Sequence, residues 1–287
     1  MKVREFSLLD DLGNEFSLMD IENYCLLTDP NGLGYAYNTE YEQLGNTFVT
    51  NLRRTAQGKI DGTVNFLNYD NYKAMVDFIE RANELRFKYV IPYQSGTRTY
   101  YKDINIASFE KSEIQPNGII SEAITFDGLS EWYAPNRAIF DMGATENEIR
   151  WDFKWDSRFT DKSERTINYV NEGQDDARVK IEILGECVKP VIILDIDGEE
   201  YQRITINATI NEGEKFIYSS VENQFEMNKV NTNGTKTSLF NTSYIDPSEN
   251  LCIKIPQNIN CSLTLTTYAG TDVQNATITI YEYYKAV

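Results

Sequence analysis

The stretch NYDNYKAMVDFIERANELRFKYVIPY, residues Asn68–Tyr93, decides the fold. Apolar side chains recur in its first two thirds at helical spacing, and charged side chains fall on the opposite face. The apolar positions are Ala74, Met75, Phe78, Ile79, Ala82 and Leu85. We therefore predict one amphipathic helix over residues 70–85, with Asp70 as its N-cap. Its apolar face should cover either one face of a sheet or one open end of a β-sandwich.

Strand patterns lie on both sides of this helix. Alternating or continuous apolar runs that end at turn residues predict strands at residues 15–20, 24–29, 34–41, 46–52, 58–67, 86–93, 96–110 and 118–129. The first part of the chain is therefore predicted to be a β-sandwich or barrel-like domain with a single packed helix.

A second domain follows a break that contains Pro135 and Gly143. We place the first domain at residues 1–135, a linker at 136–146 and the second domain at 147–287. Eight strands are predicted in the second domain, at residues 166–171, 179–184, 190–197, 202–210, 214–220, 251–256, 261–269 and 276–284. Recurring turn sequences between them indicate a β-sandwich of eight or more strands, and the whole chain is mainly β.

The composition excludes several classes of function. The formal net charge is −17, and the acidic residues are spread over both halves of the chain, which disfavours stable binding to nucleic acid or to anionic membranes. Histidine is absent from the chain. Its absence excludes Ser-His-Asp and Cys-His catalytic sites and His-ligated zinc. We predict that the protein is not an enzyme.

The cysteines and the N-terminus indicate a cellular setting. The four cysteines contain no CxxC pair. Cys252 and Cys261 could form a disulfide across neighbouring strands, and the alternative is that all four are free thiols in a reducing cytoplasm. The N-terminus has acids where a secretory signal needs an apolar core, and no apolar run reaches 18 residues. We therefore expect synthesis and folding in a cytoplasm, without a membrane partner.

Two acidic segments are candidate metal sites. DIDGEE, Asp195–Glu200, could bind Ca²⁺ through its carboxylates or form a solvated hairpin turn, and NEGQDDARVK, Asn171–Lys180, presents the same choice. The hairpin turn is preferred because the spacing differs from that of an EF-hand. No carboxylate pair has a distinguishing context, and no phosphate-binding glycine loop occurs. We assign no catalytic, cofactor-binding or metal-ligating residue, and we expect no cofactor.

Trp132, Trp151 and Trp155 support an alternative function. Exposed indole rings stack on sugars, so the protein could be a carbohydrate-binding module or an adhesin that recognises host cell-wall glycans. Trp151 and Trp155 alternate with Phe153 and would share one face of a strand. Such a stripe is also typical of a core or a subunit interface.

The order of these elements resembles a known family. GTVNFLNYDNYKAMVDFIERA is followed by RFKYVIPY, YYKDINIASFEKSEI and GIISEAITFDGLSEWY. This order of strands, helix, strand and hairpin is similar to the N-terminal half of distal tail proteins of long-tailed siphophages, or prophages, of Gram-positive bacteria. The later passage NGTKTSLFNTSYIDPSENLCIKIPQN resembles the galectin-like, jelly-roll type β-sandwich of that family.

The resemblance implies a structural role in the virion. It implies a homo-hexameric ring at the tail tip or baseplate that joins the tail tube to the host-adsorption apparatus, with the second domain as a platform. The implied partners are the tail tube protein, the tape-measure protein, a tail-associated lysin or tail-tip protein and receptor-binding proteins. DNA would only pass through the pore, and the chain would be made in the cytoplasm of the bacterial host.

Overall fold

We analysed a computed structural model of the 287-residue chain. It describes residues 4–21, 25–93, 96–114, 116, 118–140, 165–241, 243–245, 249–268, 273 and 275–287. The chain forms two compact units, Met1–Ala134 with Tyr284–Val287 (unit 1) and Pro135–Tyr283 (unit 2). Both consist mainly of antiparallel strands, so the prediction of a mainly-β fold is confirmed. Within the described ranges no helix has the length and apolar character needed to cross a membrane.

Unit 1 contains one α-helix among its described residues, α1 (Tyr69–Arg81). Its strands are β1 (Glu5–Leu9), β2 (Glu15–Ser17), β3 (Met19–Asp20), β4 (Cys25–Asn31), β5 (Tyr37–Leu44), β6 (Thr47–Thr55), β7 (Lys59–Phe66), β8 (Leu85–Tyr93), β9 (Gly96–Phe109), β10 (Ile120–Gly128) and the start of β11 (Trp132–Phe140). Antiparallel pairing runs in the order β3-β4-β7-β10-β9-β8-β1-β2, whereas β5 and β6 form a separate two-stranded sheet. Of the predicted linker, residues 136–140 end strand β11, and 141–146 lie outside the described residues.

The core of unit 1 is aromatic. Alternate residues of β8 and β10 point inward, and the Phe87 ring meets Phe126 edge-on with centroids 5.5 Å apart. Trp132 is completely buried against Phe87, and its indole Nε1 donates to the carbonyl oxygen of Leu33 at 3.1 Å. Because the polar edge of the ring has a partner, the largest side chain of this core is buried without an unsatisfied donor.

Helix α1 begins one residue before the predicted N-cap. The side-chain Oδ1 of Asn68 accepts a hydrogen bond from the backbone N–H of Asn71 at 3.0 Å, so Asn68 is the N-cap. Asp70 lies inside the first turn, and the prediction that it caps the helix is wrong. Both residue types are good N-caps, and a carboxylate in the first turn still favours the helix through its dipole.

We expect Asn68→Ala to lower the free energy of unfolding by about 1 kcal/mol, because it leaves the Asn71 N–H without its acceptor. Asp70→Ala is the matched control and should cost about 0.5 kcal/mol or less, since it removes only a dipole interaction. Urea denaturation of both variants measures the difference. A larger loss for Asp70→Ala would contradict this assignment of the cap.

The helix ends earlier than predicted. Its last residue is Arg81, and Leu85 is the first residue of β8 rather than part of the apolar helix face. Met75 and Phe78 are the buried positions, whereas Ala74 is exposed. The helix covers the core beside the strands: the Phe78 ring lies 5.5 Å from Phe16 of β2.

Unit 2 is a β-sandwich. Its strands are the end of β11, β12 (Arg165–Val170), β13 (Arg178–Leu184), β14 (Cys187–Val188), β15 (Pro190–Ile196), β16 (Glu199–Thr205), β17 (Thr209–Ile210), β18 (Lys215–Ser219), β19 (Glu226–Val230), β20 (Lys236–Ser238), β21 (Asn260–Thr267) and β22 (Ala276–Tyr284). One sheet has the order β12-β21-β15-β16, the other β20-β19-β18-β13-β22, and β14 pairs with β17. A short 3₁₀ helix covers Glu222–Gln224. Inward aliphatic side chains of both sheets share one core, which confirms the predicted sandwich of eight or more strands.

The predicted strand at residues 251–256 is wrong. In the described chain this segment makes only an isolated bridge, Ala177 to Ile255. The phenol of Tyr218 holds it instead, donating to the Leu251 carbonyl at 2.8 Å and accepting from the Ile253 N–H at 3.0 Å. Strands β19 and β20 were not predicted, because their sequence is polar and lacks a clear alternation.

The four cysteines are free thiols. Cys25, Cys187 and Cys261 are buried, and Cys252 is half-buried. Burial raises the pKa of Cys25 to about 12 and that of Cys187 to about 11. Of the two alternatives for Cys252 and Cys261, the structure has free thiols and no disulfide between them.

We expect an aromatic disulfide reagent to modify one thiol per native chain quickly, at Cys252, and four thiols in denaturant, because reaction needs an accessible thiolate. The Cys252→Ser variant should then show no fast thiol. The measurement is the absorbance of released thiolate against time. Fast modification of two thiols in the native protein would contradict the burial of the other three.

Candidate assembly surfaces

Strands β5 and β6 form a surface feature that the sequence did not single out. Among the described strands they pair only with each other, from Tyr37–Thr55 at one end to Leu44–Thr47 at the other. We call residues 37–55 the arm, the end near residues 44–47 its tip, and the end near residues 37 and 55 its root. At the root, the Ala56 N–H donates to the Ala36 carbonyl at 2.8 Å.

The local sequence explains why this hairpin forms. Gly45 at the tip has a φ of +64°, which a residue without Cβ adopts at little cost, and it occupies a two-residue loop with Asn46. The Thr47 hydroxyl donates to the Leu44 carbonyl at 3.0 Å and closes the turn. A change of register beside Glu40 and Tyr41 marks a bulge, which increases the local twist.

The arm exposes apolar side chains toward its tip. Nearly every residue of β5 and β6 is exposed, because no other described element packs over the sheet. Phe48 is 70 % exposed and Tyr41 is 64 % exposed, and Leu44 and Val49 are also exposed. Tyr41 faces Thr50 and Phe48 faces Gln43 across the ladder, so the two rings share one face. Clusters of this kind mark surfaces that other proteins cover.

Charge is distributed unevenly along the arm. Glu42 lies in the half nearer the tip, whereas Glu40, Arg53 and Arg54 lie in the half nearer the root. The Arg53 guanidinium lies 3.6 Å from the centroid of the Tyr37 ring, a cation–π contact that orders it near the root. The half nearer the tip therefore carries the exposed apolar side chains and one acid, and the half nearer the root carries both arginines and one acid.

The tryptophans do not form a sugar platform in the described residues. Trp132 is buried in the core of unit 1, so its ring is not available for stacking. Trp151 and Trp155, with Phe153, lie outside the described residues. The proposed stacking by the latter two stays a prediction.

The acidic segment Asp195–Glu200 is a hairpin turn. Asp197 and Gly198 have φ values of +53° and +86°, and Ile196 pairs with Glu199, which defines a two-residue turn between β15 and β16. The Glu200 carboxylate binds the Arg203 guanidinium. The preferred reading of this segment is confirmed. In the described part of the chain, no group of three or more Cys, Asp or Glu side chains is arranged to hold a metal ion.

The second acidic segment is organised by a buried asparagine. The Asn171 side-chain amide donates to the carbonyls of Asp175 and Ile255 at 2.8 and 3.0 Å, and its Oδ1 accepts from the Gly173 N–H at 2.9 Å. A Cβ on Gly173 would lie 2.7 Å from the Tyr283 carbonyl oxygen. These contacts give residues 171–180 a structural role as a turn that joins β12 to β13.

Three buried or half-buried acids of the two units bind backbone or tyrosine groups. Glu122 accepts from the Ser112 N–H at 2.7 Å and fixes the loop after β9. Asp103 accepts from the Tyr133 hydroxyl at 2.9 Å, and burial raises its pKa. Glu282 accepts from the Tyr169 hydroxyl at 2.5 Å. These hydrogen bonds give each of the three carboxylates a structural role.

The family model described as distal tail protein, N-terminal domain, matches residues 5–129, which include the arm and helix α1. The distal tail proteins of Lactococcus phage SK1 and Lactococcus phage p2 are 28 % and 27 % identical to this chain over 145 residues. Each alignment covers 48 % of this chain and 48 % of the relative. The chain thus spans about half the length of the curated relatives that it matches.

Solved structures share the fold over the whole chain. A chain of the phage P2 baseplate in its activated conformation with Ca has a TM-score of 0.64 at 18 % identity, and the alignment covers 100 % of both chains. SPP1 Dit, described as a paradigm of hub adsorption apparatus in Gram-positive infecting phages, has a TM-score of 0.54 at 11 % identity and covers 98 % of this chain and 99 % of its own. The resemblance that the sequence indicated is confirmed: residues 5–129 match the model of the distal tail protein N-terminal domain, and the chain shares its fold with these solved structures.

Proposed function

We propose that this protein is a structural hub of a phage tail tip. Six copies form a ring through unit 1, and the ring joins the tail tube to the host-adsorption apparatus and lets DNA pass. The observation that carries the proposal is the arm, which exposes Tyr41, Leu44, Phe48 and Val49 on a two-stranded sheet that pairs with no other described strand.

The arm has the properties of an assembly element. An isolated two-stranded hairpin is at best marginally stable in water. Such a sheet is therefore stabilised when another layer packs on its face or a third strand pairs with its edge. Its two outer edges also present unpaired backbone groups. In a soluble monomer an apolar projection of this kind would stabilise nothing. In a ring subunit it forms an interface with a neighbour.

A contact between the arm of one copy and a different surface of the next copy is heterologous. Heterologous contacts close into a ring when a whole number of the rotations that relate neighbouring copies adds up to 360°. The sixfold count is part of the proposal and comes from the resemblance to distal tail proteins.

The charge of the chain supports passage of DNA. With a net charge of −17, the ring repels phosphate, so a duplex inside the pore would have few cationic groups to bind. Tight counterion-releasing contacts would slow the transfer of the genome. Acidity therefore suits a conduit better than it suits a DNA-binding protein.

The two parts of the chain have different proposed tasks. Residues 1–135 form the ring, 136–146 the linker, and 147–287 a galectin-like platform that projects from the ring. The partners we propose are the tail tube protein, the tape-measure protein, a tail-associated lysin or tail-tip protein, and receptor-binding proteins. We propose no catalytic step, and the protein would reside at the tail tip of the virion after synthesis in the host cytoplasm.

Electron microscopy of the purified chain over a range of concentrations tests this function. We expect rings with a central pore whose fraction increases with concentration. Gold labelling of the chain in intact particles should place it where the tail tube ends. Label along the tube or on the head would overturn the proposed position.

A further inference from the structure

Asn31, the last residue of β4, makes a contact with Gly32 that the proposed function does not use. The Gly32 N–H donates to the side-chain Oδ1 of Asn31 at 2.9 Å. Within the described residues this N–H donates to no other group. Asn31 is exposed, so water reaches its carboxamide. The side chain is therefore folded back over the peptide bond that follows it.

This contact brings together the two atoms that an imide would join. Cγ of Asn31 is one covalent bond from Oδ1, so the hydrogen bond also holds Cγ beside the Gly32 nitrogen. Reacting atoms held about 3–3.5 Å apart are in a near-attack arrangement, and holding them there removes part of the entropic barrier to bond formation. Gly32 has no β-carbon that would obstruct the approach of its nitrogen to Cγ.

The fold of unit 1 holds this arrangement in place. Gly32 has a φ of +81°, a conformation that residues with a side chain rarely adopt. A Cβ on Gly32 would lie 1.7 Å from the Lys59 carbonyl oxygen, so its Cα packs directly against β7. One residue later, the Leu33 carbonyl accepts a hydrogen bond from the buried indole of Trp132 at 3.1 Å. The backbone after Asn31 is thus fixed on one side by β7 and on the other by the core.

A second Asn–Gly pair of the described chain, Asn233–Gly234, has a different arrangement. The Asn233 Oδ1 accepts from the N–H of Thr235 at 3.0 Å. The Gly234 N–H donates to the Asn231 carbonyl at 2.8 Å. The carboxamide is directed to a different N–H and the glycine N–H to a different acceptor, although the dipeptide is the same and Asn233 is also exposed.

We infer that Asn31 is a site of spontaneous deamidation. The Gly32 nitrogen loses its proton to solvent and attacks Asn31 Cγ. As the N–Cγ bond forms, the Cγ–Nδ2 bond breaks, and the side-chain nitrogen takes up a proton and leaves as ammonia. The product is a five-membered succinimide. Addition of one water molecule to either imide carbonyl breaks one C–N bond and gives aspartate or isoaspartate, so water is the only co-reactant.

The product changes both the charge and the backbone at the end of β4. Asn31 is paired with Asp61 in the ladder between β4 and β7, so aspartate there would place two carboxylates opposite each other. Isoaspartate routes the main chain through Cβ and lengthens it by one carbon, next to a Gly32 that already packs against the Lys59 carbonyl. The reaction therefore adds a negative charge and shifts the segment that leads from β4 into the arm.

Peptide mapping by mass spectrometry tests the inference on the full, folded chain during incubation in mildly alkaline buffer. We expect the peptide with Asn31 to acquire the mass of the acid about tenfold faster, or more, than the peptide with Asn233, because only Asn31 has its Cγ beside the attacking nitrogen. The rate should increase with pH, since the nitrogen attacks after it loses its proton. The third Asn–Gly pair begins at Asn117, outside the described residues, and lies in a separate peptide.

Urea separates the effect of the fold from that of the dipeptide. In the unfolded chain neither pair has a fixed geometry, and we expect the rates at Asn31 and Asn233 to become similar. Asn31→Gln keeps a carboxamide but moves it one carbon further from the backbone, and the fast modification of this peptide should disappear. Equal rates at the two asparagines of the folded chain would overturn the inference. An excess at Asn31 that persists in urea would also overturn it, because the contact with Gly32 is then absent.

Discussion

Phe78→Asp is expected to lower the free energy of unfolding of unit 1 by about 4 kcal/mol, because it places a carboxylate in an apolar core without a partner. The Phe78 ring is buried and packs 5.5 Å from the ring of Phe16. Helix α1 has two buried side chains, Met75 and Phe78, so loss of one removes about half of its anchoring. Urea denaturation followed by far-ultraviolet circular dichroism measures the change.

Ala74→Asp is the matched control on the same helix. Ala74 was predicted on the apolar face but is exposed, so a carboxylate there remains hydrated and should cost about 0.5 kcal/mol or less beyond helix propensity. Equal losses for the two variants would show that the buried face of the helix is assigned incorrectly.

The double variant Tyr41→Ser and Phe48→Ser should abolish assembly while leaving the monomer as stable as wild type. The two rings share one face of the arm and are largely exposed in the isolated chain, so folding does not depend on them. In the ring they would be buried, and each buried aromatic side chain contributes about 2 kcal/mol to an interface. We expect the dissociation concentration to rise by about 100-fold or more. Sedimentation velocity and thermal denaturation measure the two properties separately.

Tyr201→Ser supplies the control, because Tyr201 is 65 % exposed and belongs to unit 2. Its loss should alter neither assembly nor stability. Rings that persist in the double variant at wild-type concentrations would remove the arm from the interface. A large drop in monomer stability would instead show that the arm belongs to the fold of unit 1.

Elements with strong periodicity were predicted from the sequence, but the residues at which they begin and end were not predicted correctly. Residues 74–85 satisfy a helical spacing, but Leu85, Phe87 and Tyr89 also alternate as a strand does. Leu85 fits both patterns. In the structure it belongs to strand β8, because β8 pairs with β1 and β9 and the chain must leave the helix before that pairing begins. The cap was ambiguous for a similar reason, since Asn68 and Asp70 are both favourable at that position.

Burial of individual polar or aromatic side chains depended on contacts distant in sequence. Trp132 looked like a possible sugar-stacking residue, and only the approach of Leu33, 99 positions away, shows that its polar edge is satisfied in the core. The segment at residues 251–256 has strand propensity, but Tyr218 occupies the hydrogen bonds that a neighbouring strand would take. Local patterns carry no information about such competition.

The arm, which is the candidate site, also could not be identified from local sequence patterns. Two strands were predicted near its position, at residues 34–41 and 46–52, yet nothing in their sequence shows that they leave the main sheet. The sequence does contain one indication of an exposed hairpin. Both of its faces carry apolar side chains, which come from Tyr41, Leu44, Phe48 and Val49. A hairpin that is partly apolar on both faces is suited to a covered position, and in the described residues this one has no cover.

We propose that unit 1 assembles six copies into a ring through the arm. Native mass spectrometry of the purified chain at increasing concentration tests this most directly. We expect a dominant species with the mass of six 33.1-kDa chains, and we expect it to disappear in the Tyr41→Ser and Phe48→Ser variant. A chain that remains a single 33.1-kDa species at every concentration, alone and with tail tube protein, would contradict it.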